Sequence, residues 1–165
     1  MVKKSAINYN SDHKTIFLLR HSDAVNCGYF SDFERNLTET GTQRAIDLGV
    51  EVKNIDLDCI LCSPAKRTKE TLAALNFENV PVLETPSLYL ANLDDIKDEL
   101  INISNSIDKL LLIGHNNGIS ELASYLVGEY ILLSTCQFVE IRLQILDWNH
   151  IGCSIGSIKR NILIN

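Results

Sequence analysis

Phe17-Leu-Leu-Arg-His-Ser-Asp-Ala-Val25 passes from three apolar side chains straight into an arginine beside a histidine. With Thr15 and Ile16 before it, the apolar part is a short unbroken run, the pattern of a strand covered on both faces. Burying an unpaired guanidinium costs several kcal/mol, so Arg20 at the end of such a strand must meet an anion or reach water. The same kind of run recurs along the chain, and the segments between the runs have helical spacing.

Asp58 to Cys62, Val80 to Leu83 and Lys109 to Ile113 read as further strands. Thr38 is placed to cap a helix to about Lys53, with Ala45, Leu48, Gly49 and Val52 on one side. Ser63-Pro64 reads as an N-cap followed by proline at the first helical position, and Ala65, Thr68, Leu72 and Leu75 continue one face. Asn92 is a cap for a helix striped by Ile96, Leu100, Ile103 and Ile107. Ile119, Leu122, Ala123 and Leu126 mark a helix that Gly128 ends. Val139, Ile141, Leu143 and Ile145 alternate with Glu140, Arg142 and Gln144, as in a strand with one wet face. Residues 147–152 then lead into a last strand near 154–161.

Strands alternating with helices predict an α/β fold: a three-layer α/β/α sandwich on a mostly parallel central sheet with an antiparallel C-terminal edge. No repeat, low-complexity tract or linker divides the chain. Residues 1–13 read as an N-terminal extension and 14–165 as one domain.

At 165 residues, 45% hydrophobic and 22% charged, the composition is that of a globular protein with a sizeable core. Apolar runs fall far short of the roughly 20 residues that span a bilayer, and the N-terminus lacks the apolar segment of a signal peptide. No membrane contact and a cytoplasmic location are therefore expected. A net charge of −6 without a basic stripe argues against nucleic acid. Five cysteines fit reduced thiols, and Cys59 and Cys62 in one strand point to opposite faces, against redox chemistry.

In such sheets ligands bind beyond the carboxyl ends of the strands. Arg20 and His21 follow the first strand, Arg67 opens the helix after the second, and His115 follows the fourth. Two guanidiniums, two imidazoles and helix N-termini at Ser63 and near Gly118 then converge, where acidic residues look scarce. Such a site suits a compact polyanion, with phosphate leading, since each charge-assisted bond contributes about 1.5–3 kcal/mol. The histidines add chemistry, because a neutral imidazole is a competent nucleophile at phosphorus. Fixed positive donors around a transferring phosphoryl group supply most of the catalysis. Without an Asp-rich or His/Asp ligand set, neither a metal nor another cofactor is expected.

"LLRHSDA", "RNLTETG", "CSPAKRTKET" and "LLIGHNNGISELA" resemble, in order and spacing, the RHG, RPLTxxG, SSPxxRxxQT and GHNPG blocks of the histidine phosphatase superfamily, which has the phosphoglycerate mutase-like fold. The length and the "LYLA" segment are most similar to its SixA-type phosphohistidine phosphatase branch. The resemblance implies that His21 is the nucleophile and becomes phosphorylated. It also implies that Arg20 and Arg67 hold phosphoryl oxygens, that His115 donates a further hydrogen bond, and that Arg35 approaches the substrate from a loop.

Ser22 stands in place of the usual glycine beside the nucleophile, at a substrate-binding position, where a side chain is expected to crowd the backbone. Asn36 and Asn117 replace prolines, and Cys62 replaces a serine. Asp23 and Glu84 are the candidate proton donors. His13, His150, Lys66 and Lys69 read as surface side chains, and Trp148 as packing at the sheet edge. The expected function is a metal-independent phosphohistidine phosphatase acting on a phosphorylated protein such as a histidine phosphotransfer domain. The alternatives are a phosphomonoesterase acting on a small phosphate compound and a noncatalytic phosphoprotein-binding module.

Overall fold

Four of the apolar runs lie side by side as parallel strands, and two antiparallel strands complete the sheet on one edge. A computed structural model describes residues 13–26, 28, 31–153 and 155–164. In chain order the elements are β1 (Lys14–Arg20), α1 (Glu39–Val52), β2 (Cys59–Cys62), α2 (Lys66–Leu75), β3 (Val82–Glu84), α3 (Leu93–Leu100), β4 (Lys109–Gly114), α4 (Gly118–Val127), β5 (Gln137–Leu143) and β6 (Ser157–Leu163). Spatial order is β3-β2-β4-β1-β5-β6. β1, β2, β3 and β4 run parallel, whereas β5 is antiparallel to both β1 and β6. The expected α/β class and antiparallel edge are therefore both present.

The sheet separates two apolar layers. On one face Ile16, Leu18, Leu61, Leu110 and Leu112 pack with residues of α3 and α4. On the other, Phe17, Leu19, Ile60, Leu111 and Ile113 pack with Ala45, Leu48 and Val52 of α1 and Leu75 of α2. Each fully buried leucine contributes about 1.5–3 kcal/mol, so both layers hold the strand ends firmly. Cys59 belongs to the first layer and Cys62 to the second, as their spacing in one strand requires.

Several boundaries differ from those read in the sequence. α2 starts at Lys66 with Ala65 as its N-cap and no side-chain capping bond. Ser63 is thus not a cap; its hydroxyl is bonded into the site described below. α3 has the full capping box at Asn92 but stops at Leu100. Ile103 and Ile107 lie beyond its end in turns that still pack against the first layer, which mimics a longer helical stripe. β3 is the exposed edge strand and begins at Val82, and β6 begins at Ser157. In β5 Phe138 is as buried as Val139, because it stacks on Phe17 at 5.6 Å between ring centroids. Trp148 is not at an edge but fully buried, with Nε1 donating to the Ile107 carbonyl at 2.8 Å. Residues 1–12 of the expected N-terminal extension, and Ser154, lie outside the described residues.

Two glycines permit the close approaches that shape the sheet's carboxyl edge. A Cβ on Gly41, in the first turn of α1, would overlap the Asp23 carbonyl oxygen, and one on Gly118, at the start of α4, would overlap that of Ala91. Gly118→Ala is therefore expected to cost about 1–3 kcal/mol, because the obstacle is backbone rather than a flexible side chain. The urea midpoint of unfolding checks this; an unchanged midpoint would mean that α4 can shift freely.

Candidate active site

Arg20, His21, Arg67 and His115 meet at the carboxyl ends of β1, β2 and β4. Arg20 ends β1 opposite Gly114, and the His21 amide donates to the Gly114 carbonyl at 3.1 Å. His115 follows β4 directly, and Arg67 lies in the first turn of α2. The two imidazoles are 5.2 Å apart between centroids. Both rings and the Arg67 side chain are buried, Arg67 being only 2% exposed.

Arg67 links the two histidines. Its Nε donates to His21 Nε2 at 3.2 Å and its Nη2 to His115 Nδ1 at 3.1 Å. A guanidinium has no acceptor, so each of those ring nitrogens presents its lone pair. This fixes both tautomers. His21 carries its proton on Nδ1, which donates to the Ser22 carbonyl at 2.7 Å, and His115 carries its proton on Nε2, which donates to Ser63 Oγ at 2.7 Å.

Burial reinforces the neutral state. Desolvation, with the charge of Arg67 and Arg20 beside it, lowers the pKa of His21 to about 4; the same causes lower that of His115 to about 3. The acid limb of kcat/KM is therefore expected near pH 4 rather than 6.5, since that limb reports the free enzyme. Stability should follow the same groups. Between their folded values and the unfolded value near 6.5 the unfolded chain binds more protons, so stability is complete above about pH 6.5 and falls as the pH drops toward 4. Urea unfolding at pH 7.5 and pH 5 reads this; equal midpoints would contradict neutral buried rings.

The Arg20 Nη1 donates to the Leu133 carbonyl at 2.9 Å, while its buried Nε has no hydrogen-bond partner among the described residues. Desolvation lowers its pKa, opposed by Asp23. A buried donor without an acceptor beside two neutral imidazoles is an arrangement suited to an anion.

Ser22 does not crowd the backbone. It is fully buried, has no positive φ, donates its hydroxyl to the Gly41 carbonyl at 2.7 Å and its amide to Thr71 Oγ1 at 3.0 Å. The left-handed freedom of glycine is not used here, and the Ser22 side chain is turned onto α1. Arg35 donates through Nε to the Val25 carbonyl at 2.5 Å and through Nη1 to Asp32 at 3.0 Å.

Neither candidate donor is a free carboxyl at the centre of the pocket. Burial alone would raise the pKa of Asp23, but hydrogen bonds from Thr135 and Arg44 pull it below the ordinary carboxylate range. Glu84, 54% exposed at the end of β3, faces Lys69 at 3.7 Å. Burial pushes the thiol of Cys62, at the end of β2, up to about 12.

The site also contains residues that the sequence reading passed over. Acidic groups are not scarce there. Asp32, from the turn at residues 32–34, accepts from Arg67 Nη1 on its carbonyl at 2.6 Å and from Arg67 Nη2 on its carboxylate at 3.0 Å. Tyr89 donates its hydroxyl to the same carboxylate at 2.8 Å, and its ring stands edge-on to His115 at 5.7 Å. Burial would raise the Asp32 pKa, but hydrogen bonds from Tyr89 and Arg35 and the charge of Arg67 hold it well below the usual range. Ser63 is the third, as partner of His115. The "LYLA" segment holds Tyr89 and the "CSPAKRTKET" block holds Ser63, whereas no sequence signal had marked Asp32.

Among the described residues no group of three or more His, Cys, Asp or Glu side chains is arranged to hold a metal ion, and no helix is long and apolar enough to cross a membrane.

The family model described as histidine phosphatase superfamily (branch 1) matches residues 16–99. An uncharacterized chloroplastic protein of Arabidopsis thaliana, At3g52155, is 31% identical over 138 residues, covering 74% of this chain, and the uncharacterized ML1117 of Mycobacterium leprae is 32% identical over 102 residues, covering 61%. The matched part spans 63% of the length of each relative. Among solved structures, the protein assigned as phosphohistidine phosphatase SixA from Nakamurella multipartitia superposes with a TM-score of 0.84 at 22% identity, over 92% of this chain and 96% of that one. The protein histidine phosphatase SixA in complex with tungstate gives 0.75 at 20% identity, over 90% and 96%. The alpha-ribazole phosphatase of Shigella flexneri gives 0.63 at 14%, over 87% and 95%. At such identities the likeness is one of fold.

Proposed function

This chain belongs to the histidine phosphatase superfamily, and on that premise we propose that it is a metal-independent phosphohistidine phosphatase working through a phosphorylated His21. The observation that carries the reading is the Arg67 bridge between two neutral imidazoles, each with its lone pair on the nitrogen that Arg67 faces.

Phosphoryl transfer asks for a nucleophile in line and positive donors on the equatorial oxygens. As a phosphoryl group enters, Arg67 Nε passes its hydrogen bond from His21 Nε2 to a phosphoryl oxygen, which frees the lone pair. The Nε2–P bond forms while the bond from phosphorus to the leaving group breaks, and the electron pair departs with the leaving group. Arg20 and Arg67 hold the charge, and the Ser22 carbonyl on Nδ1–H stabilises the ring as it becomes positive. Water then attacks phosphorus, the Nε2–P bond breaks, and phosphate and a neutral His21 result.

A second observation favours a P–N over a P–O substrate. Asp23 and Asp32 are both held ionised, so neither supplies a proton to an alkoxide. Phosphohistidine brings its own proton, because its leaving ring can depart already protonated on the other nitrogen. A protein bearing phosphohistidine, such as a phosphotransfer domain, is the substrate proposed.

The test is phosphate release from a phosphohistidine protein and, separately, from phenyl phosphate, each with and without chelator, with acid-labile, base-stable label trapped on the enzyme. Faster release from the protein, indifferent to chelator, is expected. Phosphate binding without turnover of either compound would instead support a noncatalytic module.

A further inference from the structure

Asp32 lies between the buried centre and solvent: its side chain is 35% exposed, whereas that of Arg67 is 2% exposed. Arg67 uses one edge, Nε and Nη2, toward the imidazoles and the other, Nη1 and Nη2, toward Asp32. A phosphoryl group on the imidazole edge then has the Asp32 carboxylate across the width of a single guanidinium. The aromatic rings beside it continue the wall: Phe33 meets Tyr89 edge-on at 5.1 Å, and Tyr89 meets His115.

From this geometry we propose that Asp32 is a specificity-determining residue, selecting phosphoryl compounds whose leaving group carries positive charge and rejecting those with a second anionic group near phosphorus. The proposal rests on the phosphatase reading of the same pocket. A bound phosphoryl dianion and Asp32 together balance the guanidiniums of Arg20, Arg35 and Arg67. A carboxylate or second phosphate on the leaving group would exceed that balance, beside a carboxylate that its three donors keep ionised. An ammonium or imidazolium there instead meets Asp32 in a partly desolvated place, with aromatic rings as neighbours that favour a cation. The selected class includes protonated phosphohistidine, and more generally any phosphoryl compound with a cationic group within a few bonds of phosphorus.

Phosphoethanolamine and phosphoglycolate test this, being esters of similar size that differ in the sign of the distal charge. Their dissociation constants for the wild type and for Asp32→Asn are measured by calorimetry, with inorganic phosphate as the reference for an intact site. The wild type should bind phosphoethanolamine at least about tenfold tighter. In Asp32→Asn the ratio should fall to about threefold or less, chiefly because phosphoglycolate binds better, and Asp32→Glu should restore it. An equal ratio in wild type and Asp32→Asn overturns the proposal, as does failure of both esters to bind the wild type. Loss of phosphate binding by Asp32→Asn, with Asp32→Glu showing no preference either, also counts against it. Turnover is not needed for this readout, so a protein that hydrolyses no phosphohistidine but keeps the charge preference would refute the function and leave the selectivity intact.

Discussion

His21→Ala is expected to lower kcat/KM by on the order of ten-thousandfold or more and to remove the trapped phosphoenzyme altogether. No other side chain in the pocket has the same combination of properties. His115 is also neutral, but its Nδ1 faces Arg67 Nη2 and its Nε2 carries the proton bonded to Ser63, so its lone pair lies beside the guanidinium end rather than at the end of β1. The thiols of Cys62 and Cys136 are pushed up by burial. The fold should survive the change, because the side-chain hydrogen bonds of His21 are one to a neighbouring carbonyl and one from Arg67, and its backbone bond to Gly114 is kept by alanine. Intact phosphate binding by His21→Ala would show that the donors remain in place. Label that persists on the variant, stable to base and labile to acid, would move the nucleophile elsewhere and with it the roles assigned around His21.

The periodic parts of this fold were legible because burial imposes a period. β1 and β4 are covered on both faces and read as unbroken apolar runs; α1 and α4 bury one stripe each and start and stop where Thr38 and Gly128 indicate. Strand ends then placed Arg20, His21 and His115 on one edge, and the first turn of α2 placed Arg67 there too. The errors have equally physical origins. Ser63-Pro64 has the chemistry of a helix start, but Ser63 Oγ accepts from His115 Nε2 instead of capping a helix amide, and the helix starts later with Ala65 at its cap. Ile103 and Ile107 keep helical spacing relative to Leu100 while packing from turns.

Asp32 was invisible for a different reason, and Tyr89 showed only as part of the "LYLA" segment. A loop has no period, and nothing in the spacing between His21 and Asp32 tells that Asp32 lies against Arg67. What brings Asp32 to Arg67 is a pairing of loop backbone: Ala24 bridges to Leu37, the Leu37 amide donates to Glu70 at 2.7 Å, and Glu70 sits one turn after Arg67 on α2. The loop is therefore tied at one end to the helix that carries the arginine. This long-range closure also explains why Asp23, read as a proton donor from its nearness in sequence to His21, is instead taken up by Arg44 of α1 and by Thr135.

Arg67→Lys should be nearly as damaging as Arg67→Ala, with kcat reduced by roughly a hundred- to a thousandfold in either variant. Four hydrogen bonds leave this one guanidinium, to His21, to His115 and twice to Asp32, and their directions depend on its planar fork. An ammonium is a single point with three donors; it can keep the charge but not reach both ring nitrogens while still holding Asp32. Losing the bridge also frees the tautomer of one ring, since an ammonium, which cannot accept either, reaches only one of the two nitrogens. The loss should therefore appear in kcat more than in phosphate affinity, because Arg20 and the remaining ammonium still attract the anion. Arg67→Lys should in addition raise the acid limb of kcat/KM above about pH 4, as the guanidinium that helps to hold His21 neutral is replaced by a more distant charge. A lysine variant within tenfold of the wild type, with an unmoved acid limb, would mean that charge alone suffices and that the two-ring bridge has no part in the chemistry.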